Sequence, residues 1–537
     1  MPEFYLRTES IKSDDILSLS VINNYDKDII TALKSSEPCL IEGSRGTGKS
    51  FLMRVAELEI ERSDVSSISV YVSFNISSLV DTEDPLQFYH WMLAKSLKAL
   101  INKLKKRGIV LSSYSVSLLS NDEHNEYDGV DEDLKSIVSA FENSYKGKIN
   151  IPTHSLPDIE DVKEAIETIC IEHKLKRIYF FFDEAAHVFR PDQQRQFFSL
   201  FKDLRSPYIT CNAAIYPGVT YFGKSFEPTH DCIYKRLDRN IKDAGYIDYF
   251  KDIVLKQSDD VTKKAIKEQG GLFKVLALSS GGNPRMLLRT IQDLERFNTQ
   301  SVNQLIKQFY RSQIWIEHTE LGDKYKGHKQ LIDWGRDFLE NIAISAIEKY
   351  NTNRKDKNKE ESTIYFWVHK DSPATVKEAL RLLTYTGIIR KLDSGVRASR
   401  GELGTRYEVK YGCLIALQSS PNNESDDFFN TLSIKKFPEF GKNHSSYLTI
   451  SNLKNTIEDI NTFRESLSNM LQKPISVLKL LTSWQKSKLN HAKIFNLEQL
   501  YSCTETELIA KIYNVGPVRA RLMKNAATAE LLEYLSG

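Results

Sequence analysis

The chain has 537 residues with 73 Lys and Arg against 71 Asp and Glu, a formal charge of +2. At about 150 residues per domain this length holds three or four cores, and the near-neutral balance excludes a polycation that coats nucleic acid along its whole length. Apolar residues make up 41% and charged residues 27%, the proportions of a soluble globular protein.

Six cysteines lie far apart, with no C-x-x-C pair and no Cys/His cluster. That pattern excludes a disulfide framework and a structural zinc site, and it fits a reducing cytoplasm. The first residues lack the charged-then-apolar order of a signal peptide. No apolar run reaches the ~18 residues that a bilayer crossing needs. The expectation is a soluble cytoplasmic chain with no membrane partner.

From about residue 16 to residue 240 helix-like and strand-like segments alternate, which predicts an α/β domain. Residues 38–42, 67–73, 177–182 and 208–216 read as buried strands. A segment rich in Ser, Asn, Asp and Glu, about 111–158, reads as an insertion with mobile parts. Residues 241–330 read as a helical unit, 331–418 as a third domain, 419–470 as a linker and helical connector, and 471–537 as a last helical domain. No solenoid repeat is present.

Residues 43–50 read Gly43-Ser44-Arg45-Gly46-Thr47-Gly48-Lys49-Ser50, a complete G-x-x-x-x-G-K-[ST]. Glycines at this spacing let the loop turn so that successive N–H groups face phosphate oxygens, and the following helix adds its positive end. Lys49 is expected on the β- and γ-phosphates, and Ser50 on Mg²⁺. The flanks agree, with a strand before the loop and an amphipathic helix, Phe51–Ile60, after it. The second half of such a site is an acid at the end of a buried strand. Ile178–Phe182 is a five-residue apolar run followed by Asp183-Glu184. Asp183 is expected in the Mg²⁺ shell and Glu184 as the group that orients or deprotonates water. By itself an Asp-Glu pair after a strand also serves to cap a helix. His187 makes Asp-Glu-Ala-Ala-His one residue longer than a helicase box, and no unwinding motor is read from it.

With GSRGTGKS, IYFFFDE and Gly281-Gly282-Asn283-Pro284-Arg285, the sequence resembles the AAA+ superfamily and, within it, the origin-recognition-like and STAND-like branch. The resemblance implies a multidomain α/β plus α architecture, with a parallel-sheet core, a helical lid, a winged helix and ATP with Mg²⁺ as cofactors. It implies that Arg285 is a lid arginine that senses the γ-phosphate, where a fixed charge on a planar fork suits a phosphate. The other reading is a helix start with Pro284 in the first turn and a solvated arginine. The resemblance further implies a polar sensor on the strand after the acidic pair. Asn212 is the expected residue, with Thr210 or the turn Tyr216-Pro217-Gly218-Val219-Thr220 as substitutes. An arginine finger acting on a neighbouring subunit is placed at Arg236 or Arg239. Lys49 and Asp183 stand 134 residues apart, a longer gap than compact members need, and the polar insertion fills it.

Residues 372–386 predict an amphipathic helix bearing Val376, Ala379, Leu380 and Leu383 on one face. A strand follows from Ile388, a tip from Ser394 to Gly404 carries Arg397 and Arg400, and a second strand holds Arg406. This order resembles a winged helix. Arg390 to Lys410 contains six basic and three acidic residues, so Arg397, Arg400 and Arg406 are the expected phosphate contacts.

Near the end, Thr504 with Glu507 forms a capping-box pattern, and Tyr513-Asn514-Val515-Gly516-Pro517 makes a turn into another helix. The segment 476–526 resembles a helix-hairpin-helix, in the paired form of the C-terminal domain of the bacterial RNA polymerase α subunit. Asn514 replaces the usual first glycine and tolerates left-handed angles. Gly516, Arg519 and Arg521 are the expected DNA contacts. From Leu471 onward nine basic residues face five acidic ones.

The expectation is an ATPase whose nucleotide state controls binding to double-stranded DNA and recruitment of a partner, with self-association. Two alternatives stand beside it. One is an ATP-driven signalling switch, for example in phage defence, whose C-terminal modules bind protein and whose effector is another chain. The other is a transposition or replication loader.

Overall fold

The structure, a computed structural model, describes residues 4–535 apart from 77–78, 120–126, 147–150, 187–188, 220, 224–225, 357–360, 452–466 and 479. Five short strands, β1 (Cys39–Glu42), β2 (Ser67–Ser73), β3 (Arg177–Asp183), β4 (Ile209–Ile215) and β5 (Ile233–Arg236), form one sheet in the order β2-β3-β4-β1-β5, with every pair parallel. A parallel sheet is covered on both faces, so its strands are apolar throughout and alternate in which core they enter. Phe180 and Phe182 of β3 enter the core built with helix Gln87–Lys106, while Tyr179 and Phe181 enter the opposite one, built with helix Lys49–Ser63. The four strands read from the sequence are present. The fifth, Ile233–Arg236, has only four half-exposed or exposed residues at a sheet edge and carries no apolar run.

The crossover from β2 to β3 contains the polar insertion, and its described parts are ordered helices. Helix Tyr127–Glu142 places Val130, Leu134, Ile137, Val138 and Phe141 in the core against helix Gln87–Lys106. Its 3.6-residue apolar stripe is masked in the composition by the acids on its outer face. Of the insertion 111–158, expected to have mobile parts, residues 120–126 and 147–150 lie outside the described residues, as does His187.

Helices Tyr246–Gln257, Asp260–Glu268, Gly270–Ser279, Pro284–Gln292 and Thr299–Gln308 form the lid. A second sheet follows, β6 (Tyr365–His369), β7 (Ile389–Arg397), β8 (Leu403–Val409) and β9 (Glu439–Phe440), in the order β7-β8-β6-β9. Helix Ala374–Thr386 packs beside β7 and ends at Gly387, whose φ of +76° is the left-handed stop that glycine supplies. Within 419–470, expected as a linker and helical connector, lie helix Pro421–Asn430 and then β9, which pairs parallel with β6. Lid and second-sheet side chains share one continuous core.

At the C-terminus lie helices Ser483–His491, Leu497–Ser502, Glu505–Lys511 and Pro517–Leu535. Thr504 and Glu507 form the reciprocal cap, and Asn514 has φ +65°. Apolar side chains of this unit, among them Leu497, Leu500 and Met523, belong to the same core as the insertion helix. None of the described helices is long and apolar enough to cross a membrane.

Phe182 is fully buried, its ring 5.4 Å from that of Phe74, 5.7 Å from Phe180 and 6.0 Å from Phe197. We expect Phe182→Ala to destabilise the α/β unit by about 3–5 kcal/mol, read as an earlier first transition in urea denaturation.

Candidate functional site

Order in the first sheet decides what meets what. Because β4 lies between β1 and β3, the loop after β1, the acids after β3 and the residue after β4 emerge side by side at the carboxyl edge. In open α/β sheets this edge is where ligands bind.

The loop Gly43–Ser50 leaves β1 and enters helix Lys49–Ser63. Gly46 and Gly48 have φ of +82° and +100°. A side chain at Gly46 would collide with the Cβ of Arg285 and Oδ1 of Asn283, both 2.8 Å from an added Cβ. Lys49 is only 7% exposed, and its ammonium donates to the carbonyls of Gly43 (2.6 Å) and Ser44 (3.2 Å). It also lies 4.2 Å from the centre of the Tyr216 ring. Burial lowers its affinity for the proton, opposed by the charges of Glu184 and Asp183.

Asp183, the last residue of β3, is buried. One carboxylate oxygen accepts the backbone N–H of Glu184 at 2.9 Å, and the other accepts the hydroxyl of Tyr71 from β2. Glu184 sits in the left-handed region at φ +53°, a conformation that a non-glycine residue holds only when its surroundings enforce it. Tyr216, immediately after β4, sets its hydroxyl toward both Glu184 oxygens at 2.8 and 3.0 Å. Burial raises Glu184 above the ordinary carboxylate range and the charge of Asp183 adds to it, while the Tyr216 hydrogen bond and Lys49 oppose the shift.

The lid closes the other side. Asn283 caps helix Pro284–Gln292 through the N–H of Met286 (3.2 Å) and donates its amide to the carbonyl of Arg45 (2.7 Å). The Arg285 N–H points to the Gly46 carbonyl at 3.4 Å, and its Nε donates to the Leu6 carbonyl at 2.8 Å. Burial, then Arg45, lowers the proton affinity of this guanidinium. Between these groups runs a cleft bordered by Gly46 to Ser50, Asp183, Glu184, Tyr216 and Arg285, and lined as well by the apolar Ile11, Leu19, Val21, Ile253 and Leu288. The N-terminal stretch Tyr5–Ile11, which carries no motif, borders it as well.

Three expectations are corrected. Asn212 pairs in register with Cys39 at the start of β1, and its amide donates to the Leu33 carbonyl at 2.9 Å. At about 3.3 Å per residue it lies roughly 10 Å below the strand end, so the sheet places the turn residue Tyr216 at the cleft instead. Arg239 cannot reach a neighbouring subunit. Its guanidinium is buried, one nitrogen donating to the Thr47 carbonyl and another to Asp26, both at 2.7 Å. It is an internal strut under the loop, whereas Arg236 is half exposed with Nε 3.3 Å from Glu42. Arg406 is spent within the second sheet on Asp393 and on the Ile434 carbonyl, its side chain 14% exposed.

The remaining basic residues are on the surface. Arg397 and Arg400 are exposed at the tip between β7 and β8, with Arg397 donating to the Gly401 carbonyl at 3.0 Å. Gly516 is exposed at the C-terminal hairpin. Arg519 donates to the Asn514 carbonyl at 2.7 Å and lies 4.8 Å from the centre of the Trp484 ring, and Arg521 pairs with Glu505 at 3.3 Å. Tyr71 was legible only as a strand residue, and Tyr216 as the start of the turn offered as a substitute for Asn212; their contacts with the acids depend on which strands become neighbours.

No group of three or more His, Cys, Asp or Glu able to hold a metal occurs among the described residues. Ser50 and Asp183 nevertheless border one cleft and offer a hydroxyl and a carboxylate, the hard oxygen donors Mg²⁺ takes when phosphates and water complete its shell.

Comparison with known proteins places these observations. Residues 5–268 match a family model described as ORC-CDC6-like. Among solved structures, the Aeropyrum pernix ORC1 protein in complex with DNA is similar at 11% identity, over 77% of this chain and 97% of that one, with a TM-score of 0.29. Nothing among the curated proteins matches.

The Arg239–Asp26 pair is buried to 5% and 0% side-chain exposure. Removing one partner strands the other, so Arg239→Met is expected to cost about 3–5 kcal/mol. Adding Asp26→Leu recovers much of that loss, measured by denaturant titration of both variants.

Proposed function

We propose, since residues 5–268 match a family model described as ORC-CDC6-like, that the chain binds and hydrolyses ATP, with Mg²⁺, and that its nucleotide state controls binding to double-stranded DNA. The observation that carries this reading is the meeting of Lys49, Ser50, Asp183, Glu184 and Arg285 around one cleft, although they come from three segments far apart in sequence.

In this reading the N–H groups of the loop and the N-terminus of helix Lys49–Ser63 hold the phosphates. The Lys49 ammonium exchanges its carbonyl partners for β- and γ-phosphate oxygens, which return a full negative charge to a buried cation. Ser50 and Asp183 hold Mg²⁺, which neutralises charge on the phosphates. Glu184 orients the attacking water and accepts its proton on a carboxylate oxygen. Arg285, already seated on the loop, supplies a planar cation to the γ-phosphate. The apolar side chains lining the cleft suit a base. An arginine from a neighbouring copy, with Arg236 the exposed candidate, completes the charge in an oligomer.

DNA contact is assigned to two exposed basic elements, the tip bearing Arg397 and Arg400 and the hairpin bearing Gly516, Arg519 and Arg521. Support comes from their exposure and from hairpin N–H groups placed at a left-handed turn, the arrangement that offers donors to a phosphate.

Lys49→Ala is expected to abolish tight ATP binding by calorimetry. Glu184→Gln keeps binding and lowers kcat by roughly 10²–10⁴-fold; hydrolysis at the parent rate would remove Glu184 from its role. Because lid and second sheet share a core, the DNA test uses the full chain. Affinity for duplex DNA should fall steeply with salt, and Arg397→Ala or Arg519→Ala should each lower the salt slope by about one. Salt-independent or absent binding would favour the signalling switch, whose C-terminal modules bind protein.

A further inference from the structure

The second-sheet domain does not hang free of the nucleotide cleft. One of its helices, Ala374–Thr386, touches three of the loops that form it. Tyr385, buried near the end of that helix, sets its ring 5.2 Å from the Tyr216 ring at 78° and 5.8 Å from the Phe189 ring at 85°. Both are edge-to-face contacts in the attractive range. Tyr216 is the residue whose hydroxyl faces Glu184, and Phe189 follows Glu184 by five positions. One turn earlier, Arg381 donates to the Gly218 carbonyl at 3.0 Å, just past Tyr216. At the helix end, a Cβ added to Gly387 would lie 3.0 Å from Ser44 Oγ, so the cap sits against the phosphate loop. From Gly387 the chain passes in two residues into β7, whose far end carries Arg397 at the exposed tip.

The hydroxyl of Tyr216 is shared between both oxygens of Glu184, so the direction of that carboxylate follows the Tyr216 ring. The ring is in turn confined between Lys49 on one side and Tyr385 on another. Closely packed aromatic contacts of this kind do not deform smoothly. A displacement of the helix passes to Tyr216 and from there to the acid. On the opposite flank, buried Lys410 of the same domain donates to the Ser280 carbonyl at 2.9 Å, five residues before Arg285. The domain thus grips both the turn after β4 and the turn that leads to the lid arginine.

We propose that Tyr385 is a positioning residue, which acts through Tyr216 on Glu184 and so makes the rate of ATP hydrolysis respond to DNA held at the β7–β8 tip. This deepens the ATPase and DNA-binding reading and rests on it. Tyr385 touches neither substrate nor metal in this scheme. Its role is transmission, and it is separable from binding at either end.

The test is steady-state ATP hydrolysis by the full-length chain, with and without saturating duplex DNA, in the parent, Tyr385→Leu, Tyr385→Phe and Arg381→Met. DNA affinity and ATP affinity are measured in parallel, and thermal melting identifies any variant that fails to fold. In the parent, DNA should change kcat by about five-fold or more, the lower range of known couplings. Tyr385→Leu should bring that ratio to one while KM for ATP and DNA affinity stay at parent values. Tyr385→Phe, which keeps the ring edge, should retain most of the response. Arg381→Met loosens the same helix from Gly218 without entering the aromatic contact, and should reduce the response even if Tyr385→Leu does not fold. A full DNA response in folded Tyr385→Leu or in Arg381→Met overturns the proposal, as does a parent that binds DNA and hydrolyses ATP with no change in kcat. A parent that binds neither ATP nor DNA overturns the functional reading itself, a separate outcome seen in the binding measurements.

Discussion

A lysine ammonium held at 7% exposure must be surrounded by oxygen, and the cleft at the carboxyl edge of the first sheet is organised around that need. Lys49 has two loop carbonyls as immediate partners, with Asp183, Glu184 and the Tyr216 ring close by. None of these groups lies near Lys49 in sequence except the carbonyls of its own loop. The parallel sheet supplies the rest, because its strand order brings the ends of β1, β4 and β3 together in that sequence. The same burial that shifts Lys49 and Glu184 toward their neutral forms makes a phosphate group a favourable visitor, since it brings the compensating charge from outside.

Around this centre a few polar struts add to the apolar core that lid and second sheet share. Arg239 ties the loop to Asp26, Asn283 ties the lid to the Arg45 carbonyl, and Lys410 ties the second-sheet domain to the turn before the lid helix. Each strut ends on a backbone carbonyl of a glycine-rich or cleft-lining turn. Such contacts fix the position of main chain and tolerate changes in the neighbouring side chains. They also mean that the three units cannot shift past one another without altering the cleft.

Much of the fold could be read from local pattern. Apolar runs marked four of the five strands of the first sheet because buried parallel strands are apolar on both faces. The edge strand Ile233–Arg236 escaped because an edge with one neighbour keeps a mixed composition. The insertion helix Tyr127–Glu142 escaped because its acids dominate the composition while its stripe of Val130, Leu134 and Phe141 is sparse. At the site, the loop and the acidic pair were legible as motifs. Asn212 was expected as the polar residue of the strand after the acidic pair, but a place on a strand does not say how near the carboxyl edge a residue falls, and the register with Cys39 puts it mid-strand, short of the cleft.

What the sequence alone determined is the chemistry whose geometry is local: the Gly43–Ser50 loop whose spacing dictates its own backbone, helix caps such as Thr504 with Glu507, and a left-handed turn at Asn514. These depend on a handful of consecutive residues, so the pattern and the structure are nearly the same statement. Only the tertiary structure decided that Arg239 points inward beneath the loop, that Tyr216 rather than Asn212 meets Glu184, and that Tyr385 of a distant domain packs on that tyrosine. Those contacts are set by strand order and by the docking of one core against another, and no short-range periodicity encodes either.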